Sequence, residues 1–322
     1  VASLSAVGQP VATELSAQQS ERITAGNTAV MSKKHPIIVT TGSSGAGTTT
    51  VKTAFEHLFM RLNIKAAIIE GDSYHRYDRT EMRRRIARAN ALQEHFSHFS
   101  IQANVLDELE ALFRQYGKDG TGRRRHYIHD DEEGARFGGL KPGTFTEWED
   151  LPPDTDLLFY EGLHGAVVTD TLNLPQYADL LIGVVPILNL EWIQKIHRDT
   201  AERGYKPEDV TDTILRRMPD YVTVITPQFA LTDINFQRVP TVDTSNPFIA
   251  RDIPTADESL VIIRINDPEK FGVDFPGLLS MVQNSFMSRW NTVVVPGGKV
   301  GMAMEIIFRP ILERMMEQRR AA

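Results

Sequence analysis

Cysteine is absent from the 322-residue chain. That excludes disulfide staples, zinc–thiolate sites and any thiol redox switch, and it fits a reducing compartment. Positive charge is the minority sign: 35 Lys and Arg stand against 42 Asp and Glu, a formal net charge of −7. A general nucleic-acid binder, whose footprint is basic, is therefore disfavoured. No apolar run is long enough to cross a bilayer, so a membrane partner is not expected. Residues 1–30 contain no lysine and a single arginine, Arg22, so no charged n-region precedes an apolar stretch as in a secretory signal. They are rich in Ala, Ser, Thr, Val and Gln, and Met31-Ser32-Lys33-Lys34-His35 reads like a protein start before a first strand. We expect 1–30 to be a poorly ordered upstream extension, with a presequence as the functional alternative, and 31–322 to form a single domain with lid elements.

What is present is an alternation of strand-like and helix-like segments. Hydrophobic residues make up 41% of the chain, enough for a substantial core. Strands are expected at 37–41, 66–70, 156–160, 180–185, 221–225 and 260–265. Helices are expected at 48–62, 80–94, 103–116, 190–203, 207–217, 277–286 and 299–318. Several of the strands are continuous apolar runs, which suits a parallel sheet covered on both faces, hence an α/β layered fold. The stretch 118–153 is rich in Gly, Arg and Asp and reads as a surface excursion of functional or mobile character.

The most informative motif joins the first strand to the first helix. Ile37-Ile38-Val39-Thr40-Thr41 runs into Gly42, Ser43, Ser44, Gly45, Ala46, Gly47, Thr48 and Thr49. Glycines let the backbone approach an anion, and the N–H groups of the loop and the helix N-terminus point at it. The spacing Gly42-x4-Gly47-x-Thr49 is that of a nucleotide phosphate loop, with Thr49 where a hydroxyl would meet Mg²⁺. The usual lysine is missing, replaced by Thr48. Either the loop is no nucleotide site or a cation arrives from elsewhere in the chain.

Two strands end in acid–glycine pairs, Glu70-Gly71-Asp72 and Glu161-Gly162. Ligands of open parallel sheets lie beyond the carboxyl ends of the strands, so Asp72 and Glu161 are expected to converge on the terminal phosphate. One such acid reads as a turn residue or a helix cap; two beside a phosphate loop favour chemistry. For the absent cation, the segment after Leu190 places Lys195, Arg198, Asp199, Glu202 and Arg203 at offsets of three, four, seven and eight, on one helical face. That face is either a solvated, salt-bridged surface or a lid carrying Lys195 and Arg198 to the transferring group, and the missing lysine favours the lid. His75, Arg76 and Arg79 follow Asp72 and suit a phosphorylated acceptor. The run Arg123-Arg124-Arg125-His126-Tyr127-Ile128-His129 reads better as a loop contacting substrate than as a nucleic-acid patch. Arg216 and Arg217 either complement a helix dipole or bind an anionic effector.

Together, the glycine loop, Glu70-Gly-Asp-Ser-Tyr-His75, Tyr160-Glu-Gly-Leu-His164 and Lys195-Ile-His-Arg-Asp-Thr-Ala-Glu-Arg203 resemble phosphoribulokinase of the bacterial type, from Met31 to about Arg320. The lysine-free loop is itself part of the resemblance. The resemblance implies a P-loop kinase that transfers the γ-phosphate of ATP to O1 of ribulose 5-phosphate in the Calvin cycle. It implies Asp72 as general base, Lys195 and Arg198 as transition-state cations, and Glu161 and Asp199 near Mg²⁺. It places His75, Arg79 and Arg203 on the sugar phosphate. It further implies a cytoplasmic bacterial enzyme, activated by NADH, inhibited by AMP and assembled as an octamer, with Arg61, Arg216, Arg217 and Arg264 as effector or interface candidates. The regulatory cysteine pair of plant-type members has no counterpart here. The rivals are a uridine- or pantothenate-type kinase, which has no need of the sugar-phosphate grip, and an ATP-binding regulator without catalysis, which leaves Asp72 without a purpose.

Overall fold

The computed structural model describes residues 34–43, 47–201, 204–250 and 252–322, and for Thr49 the backbone alone. The expectation for residues 1–30 and the candidates Ser44, Gly45, Ala46 and Arg203 lie outside the described residues. In chain order the first elements are β1 (Ile37–Gly42), α1 (Thr48–Arg61), β2 (Ala66–Glu70), α2 (Arg79–Ala91) and α3 (Leu106–Asp119). The short β3 (Arg123–Arg124), α4 (Asp131–Arg136) and β4 (Glu149–Asp150) precede β5 (Leu157–Gly162), β6 (Leu180–Val185), α5 (Leu188–Ala201) and α6 (Pro207–Asp220). The chain continues with β7 (Ile234–Pro240), β8 (Ser259–Ile265), α7 (Pro268–Phe271), α8 (Phe275–Met281), β9 (Phe286–Arg289), β10 (Thr292–Pro296) and α9 (Val300–Ala321).

The main sheet has eight strands in the order β2-β5-β1-β6-β7-β8-β10-β9. From β2 to β7 all neighbours are parallel, and from β7 to β9 all are antiparallel. Helices cover both faces, because alternate residues of each buried strand are apolar in both directions. Ile38 packs with Phe159, Ile182 and the helices α1 and α9; its neighbours Ile37 and Val39 pack with Leu158, Tyr160 and α3. On the first face Phe55 of α1 meets Phe308 of α9 at 4.6 Å and Phe159 of β5 at 5.0 Å between ring centroids. The turn into α1 needs Gly47, whose φ of 101° lies in the region that side-chain-bearing residues avoid.

The amino ends of the parallel strands share one device. Asp156, Asp179 and Asp233 stand just before β5, β6 and β7. Asp179 N–H donates to the Ile37 carbonyl (2.8 Å), and its Oδ2 accepts the Ile37 N–H (2.7 Å). Asp233 does the same with Leu181 (2.7 and 2.9 Å), and Asp156 with Lys65 (2.6 and 2.8 Å). Each aspartate thus closes a two-bond clamp on the start of the neighbouring strand and sets its register.

The expected strand at 221–225 is overturned: Tyr221–Ile225 is a π-turn continuing α6, followed by a 3-10 turn over Thr226–Ala230. Its aromatic and β-branched residues favour strand locally, but Tyr221, Ile225 and Phe229 recur every four residues and bury one stripe against Phe99. Pro219, which lacks an N–H, precedes the widened turn. The expected helix at 277–286 is shorter, α8 ending at Met281, with Phe286 opening β9. Strands β3, β4, β7, β9 and β10 lie outside the expected set.

Candidate active site

The carboxyl ends of β2, β5 and β1 meet at the glycine loop. Glu70 and Glu161 are register partners, and Thr41 pairs with Gly162. The glycines of the two acid–glycine pairs lie against each other. A Cβ on Gly71 would come within 2.7 Å of Gly162 Cα, and one on Gly162 within 2.5 Å of the Tyr160 hydroxyl. The two strand ends approach this closely because neither bears a side chain there, and the approach brings Glu70, Asp72 and Glu161 together.

Asp72 lies in a 3-10 turn over Gly71–Tyr74. His75 Nε2 stands 3.3 Å from Asp72 Oδ1, and His129 Nε2 stands 3.9 Å from Oδ2. Enclosure by these loops pushes Asp72 upward, but the hydrogen bond and charge of His75, backed by His129 and His98, outweigh it and hold the carboxyl far below its usual range. His75 is raised in turn: burial lowers it, while Asp72 and then Asn104 more than compensate. Arg79 reaches the same loop, donating to the Tyr127 hydroxyl (3.4 Å) and the His129 carbonyl (3.2 Å). The surface excursion therefore folds back over Asp72. Arg125 anchors it, donating to the carbonyls of Ser73 (2.8 Å) and His75 (2.6 Å) while its guanidinium lies 3.8 Å over the Phe145 ring.

Two cationic groupings flank the glycine loop. On α1, Lys52 forms an ion pair with Glu70. Beyond Glu70, Glu161 is raised by burial and by the nearby Asp72 and Glu70, against the Thr48 hydroxyl and Lys52. On α5, Lys195 and Arg198 both pair with the buried Asp199. Burial and then Arg217 bring Lys195 down to about 8, against the pull of Asp199. Glu191 of the same helix is buried, accepts from the Tyr221 hydroxyl (3.3 Å) and is raised chiefly by burial. Lys195 and Arg198 thus hang from a helix whose fixed acids hold them in place, and Lys195 influences His98, which borders Asp72.

Of the four effector candidates, Arg61 ends α1 and pairs with Glu305 of α9. A fourteen-residue helix separates it from the glycine loop, about 20 Å at 1.5 Å per residue. Arg264 sits on β8, facing Asn235 and Thr292 in the antiparallel half. Arg216 donates to Thr213 on its own helix (3.3 Å). Arg217 lies with the site instead: it donates to His98 Nδ1 (3.3 Å), stacks over Phe99 and is brought down to about 10, chiefly by burial. His98, Asn104 and Lys52 were not singled out from the sequence, and Arg217 was not assigned to this site. Their signal is tertiary, since His98 and Asn104 sit on the segment between α2 and α3 and only the fold lays it against Asp72.

The oxygen donors here suit a hard cation such as Mg²⁺. Among the described residues no group of three His, Asp or Glu side chains forms a metal cage.

A parallel strand running through Gly42 and Gly47 into a helix N-terminus, with Glu161 at Thr48 and the neighbouring strand end carrying an acid ringed by basic groups, defines a phosphoryl-transferring enzyme of the α/β P-loop class. A profile described as the Phosphoribulokinase / Uridine kinase family matches residues 37–245. The chain is 64% identical over 293 residues to the phosphoribulokinase of Xanthobacter flavus, covering 91% of this chain and 100% of that one. It is 61% identical over 293 residues to that of Nitrobacter vulgaris, with the same two shares covered. A solved structure, phosphoribulokinase from Rhodobacter spheroides, superposes with a TM-score of 0.82 at 55% identity, covering 89% of this chain and 99% of that one. The chain belongs to the phosphoribulokinase and uridine kinase family.

Proposed function

We propose that the protein is an ATP-dependent kinase that phosphorylates ribulose 5-phosphate at O1, giving ribulose 1,5-bisphosphate and ADP, as in the Calvin cycle. The observation that carries this reading is the pairing of an ionised Asp72 with His75 beside Arg79 at the strand ends that also form the glycine loop. A neutral acceptor such as uridine has no use for that density of basic groups, whereas a sugar phosphate does. Asp72 takes the proton from the O1 hydroxyl as O1 forms its bond to the γ-phosphorus and the bond to the β–γ bridging oxygen breaks. His75, Arg79 and Arg203 hold the phosphate the sugar already carries. The backbone from Gly42 to Thr49 cradles the nucleotide phosphates, and Lys195 and Arg198 take the place of the missing loop lysine opposite the charge that spreads over the transferring group. Glu161, with Thr49 and Asp199 as the other candidate ligands, would hold Mg²⁺, which neutralises phosphate oxygens.

The same reading takes the enzyme to be cytoplasmic and octameric, activated by NADH and inhibited by AMP. Residues 31–322 act as one kinase domain, and Arg61, Arg216, Arg217 and Arg264 are the effector or interface candidates. The test is ATP consumption with Mg²⁺ and ribulose 5-phosphate, with uridine and pantothenate in parallel, each with and without NADH or AMP. Turnover confined to ribulose 5-phosphate, raised by NADH and lowered by AMP, supports the full reading. Turnover only on uridine or pantothenate overturns the acceptor, and ATP binding without turnover on any acceptor overturns the activity.

A further inference from the structure

Asn104 is 2% exposed, and its backbone is bridged to that of His75. The amide nitrogen donates to the carbonyls of Ser100 (2.9 Å) and His98 (3.1 Å), so its orientation is fixed. Its Oδ1 therefore points at His75 Nδ1, 2.8 Å away, and can only accept. The other ring nitrogen of His75 faces the Asp72 carboxylate, also an acceptor. A neutral imidazole has one N–H and one lone pair, so it would set a lone pair against one of these two oxygens. Only the doubly protonated ring satisfies both.

We infer that Asn104 is a positioning residue for the reaction: its locked carbonyl requires a proton on His75 Nδ1, so that His75 meets Asp72 as an imidazolium. This deepens the proposed function and rests on its assignment of His75 to the acceptor phosphate. Among the groups facing the pair, Arg217 opposes the charge on His75 but Asp72 and Asn104 outweigh it, and the buried His164 is lowered by its burial and by that charge. His98, 5.9 Å from His75 between ring centroids, accepts from Arg217 on Nδ1 and is therefore the neutral imidazole of the two. Tyr127 stands edge-on at 6.0 Å, Arg125 binds the His75 carbonyl, and His129 and Glu161 face Asp72 rather than His75. The consequence is a fixed positive charge beside an ionised general base before substrate arrives. The acceptor phosphate finds its donor already charged, and no proton has to be taken up on binding.

Two substitutions separate this from a packing role. Asn104→Leu removes the acceptor, and Asn104→Asp replaces it with a stronger one. In the pH profile of kcat/KM for ribulose 5-phosphate at saturating ATP, Asn104→Leu is expected to move the alkaline limb down by about one unit and Asn104→Asp to move it up by a similar amount. Loss of activity in both variants with an unshifted profile overturns the inference. The unaltered full chain, labelled with ¹⁵N-histidine and assigned through His75→Asn, gives a second reading that needs no variant at position 104. Two protonated nitrogens on His75 at pH 7 support the inference, and a bare nitrogen overturns it. If the wild type is inert toward ribulose 5-phosphate, the functional reading fails while the nitrogen spectrum still decides the state of His75.

Discussion

The two ends of the parallel strands use acidic residues in opposite ways. At the amino ends, Asp156, Asp179 and Asp233 have their carboxylates bonded to backbone N–H groups of the neighbouring strand. At the carboxyl ends, Glu70, Asp72 and Glu161 face lysine, histidine and hydroxyl side chains instead. The first arrangement fixes geometry: one carboxylate oxygen is committed to the backbone, and the other oxygen of Asp156 and Asp233 is taken up by Arg319 and Lys270. The second leaves oxygens that can exchange a proton or a cation. An acidic residue at a strand boundary therefore has its role set by which end of the strand it occupies, since only the carboxyl ends of parallel strands gather side by side next to a loop open to ligand.

The sharpest way to break this contrast is to neutralise one acid at each end. Asp72→Asn is expected to lower kcat by about 10²–10⁴-fold, as for loss of a general base, with ATP affinity and thermal unfolding unchanged. A kcat within a few-fold of wild type would remove Asp72 from that role. Lys195→Met is expected to cost about 10²–10³-fold in kcat, the range for loss of one electrostatic contact to a transition state. Retained kcat with a raised KM for ATP would make Lys195 a binding residue only. At the other end, Asp233→Ala strands the Leu181 N–H, frees Lys270 of its ion pair and is expected to destabilise the fold by about 1–3 kcal/mol in urea unfolding, with kcat unchanged below the transition. A variant that keeps its stability but loses turnover would erase the distinction.

The smallest effect has a sign of its own. Burial raises Asp179 to about 7, against the Ile37 N–H bond that favours its ionised form. A carboxyl raised on folding contributes stability that is complete below its ordinary pKa, near 4, and is lost as pH climbs through 7. The Asp179→Asn variant keeps an acceptor for Ile37 without the charge. Its unfolding free energy is expected to be flatter than that of wild type between pH 4 and 8, and higher than wild type at pH 8. Destabilisation at pH 8 would mean that the charge itself is needed for the clamp.

Much of the active half was legible because its signals are contiguous. The run from Ile37 to Thr49 contains strand, glycine turn and helix start, and the acid–glycine pairs mark two more strand ends. The π-turn at Tyr221–Ile225 departs from the expected strand because strand propensity masks a four-residue spacing shared with Phe229. Strand β7, with Asn235, Gln237 and Arg238 interrupting its apolar residues, and the short β10 carry too little pattern to stand out. The pairing of Asp72 with His129 across the excursion, and the placing of Arg217 and Asn104 beside it, depend on contacts between segments far apart in the chain. Local spacing holds no record of those contacts.

The abutting pair Gly71 and Gly162 has a consequence for how this surface can vary. Each position faces the backbone of the other and the ring of Tyr160 at distances that exclude even a methyl group. Shrinking one residue cannot make room for a larger one opposite, because neither has anything left to give up. Saturation libraries at the two sites should therefore return glycine alone, singly and in combination, however conservative the alternatives. The repeated acid–glycine signature is in that sense a steric imprint, legible in any sequence whose adjacent parallel strands must end within touching distance.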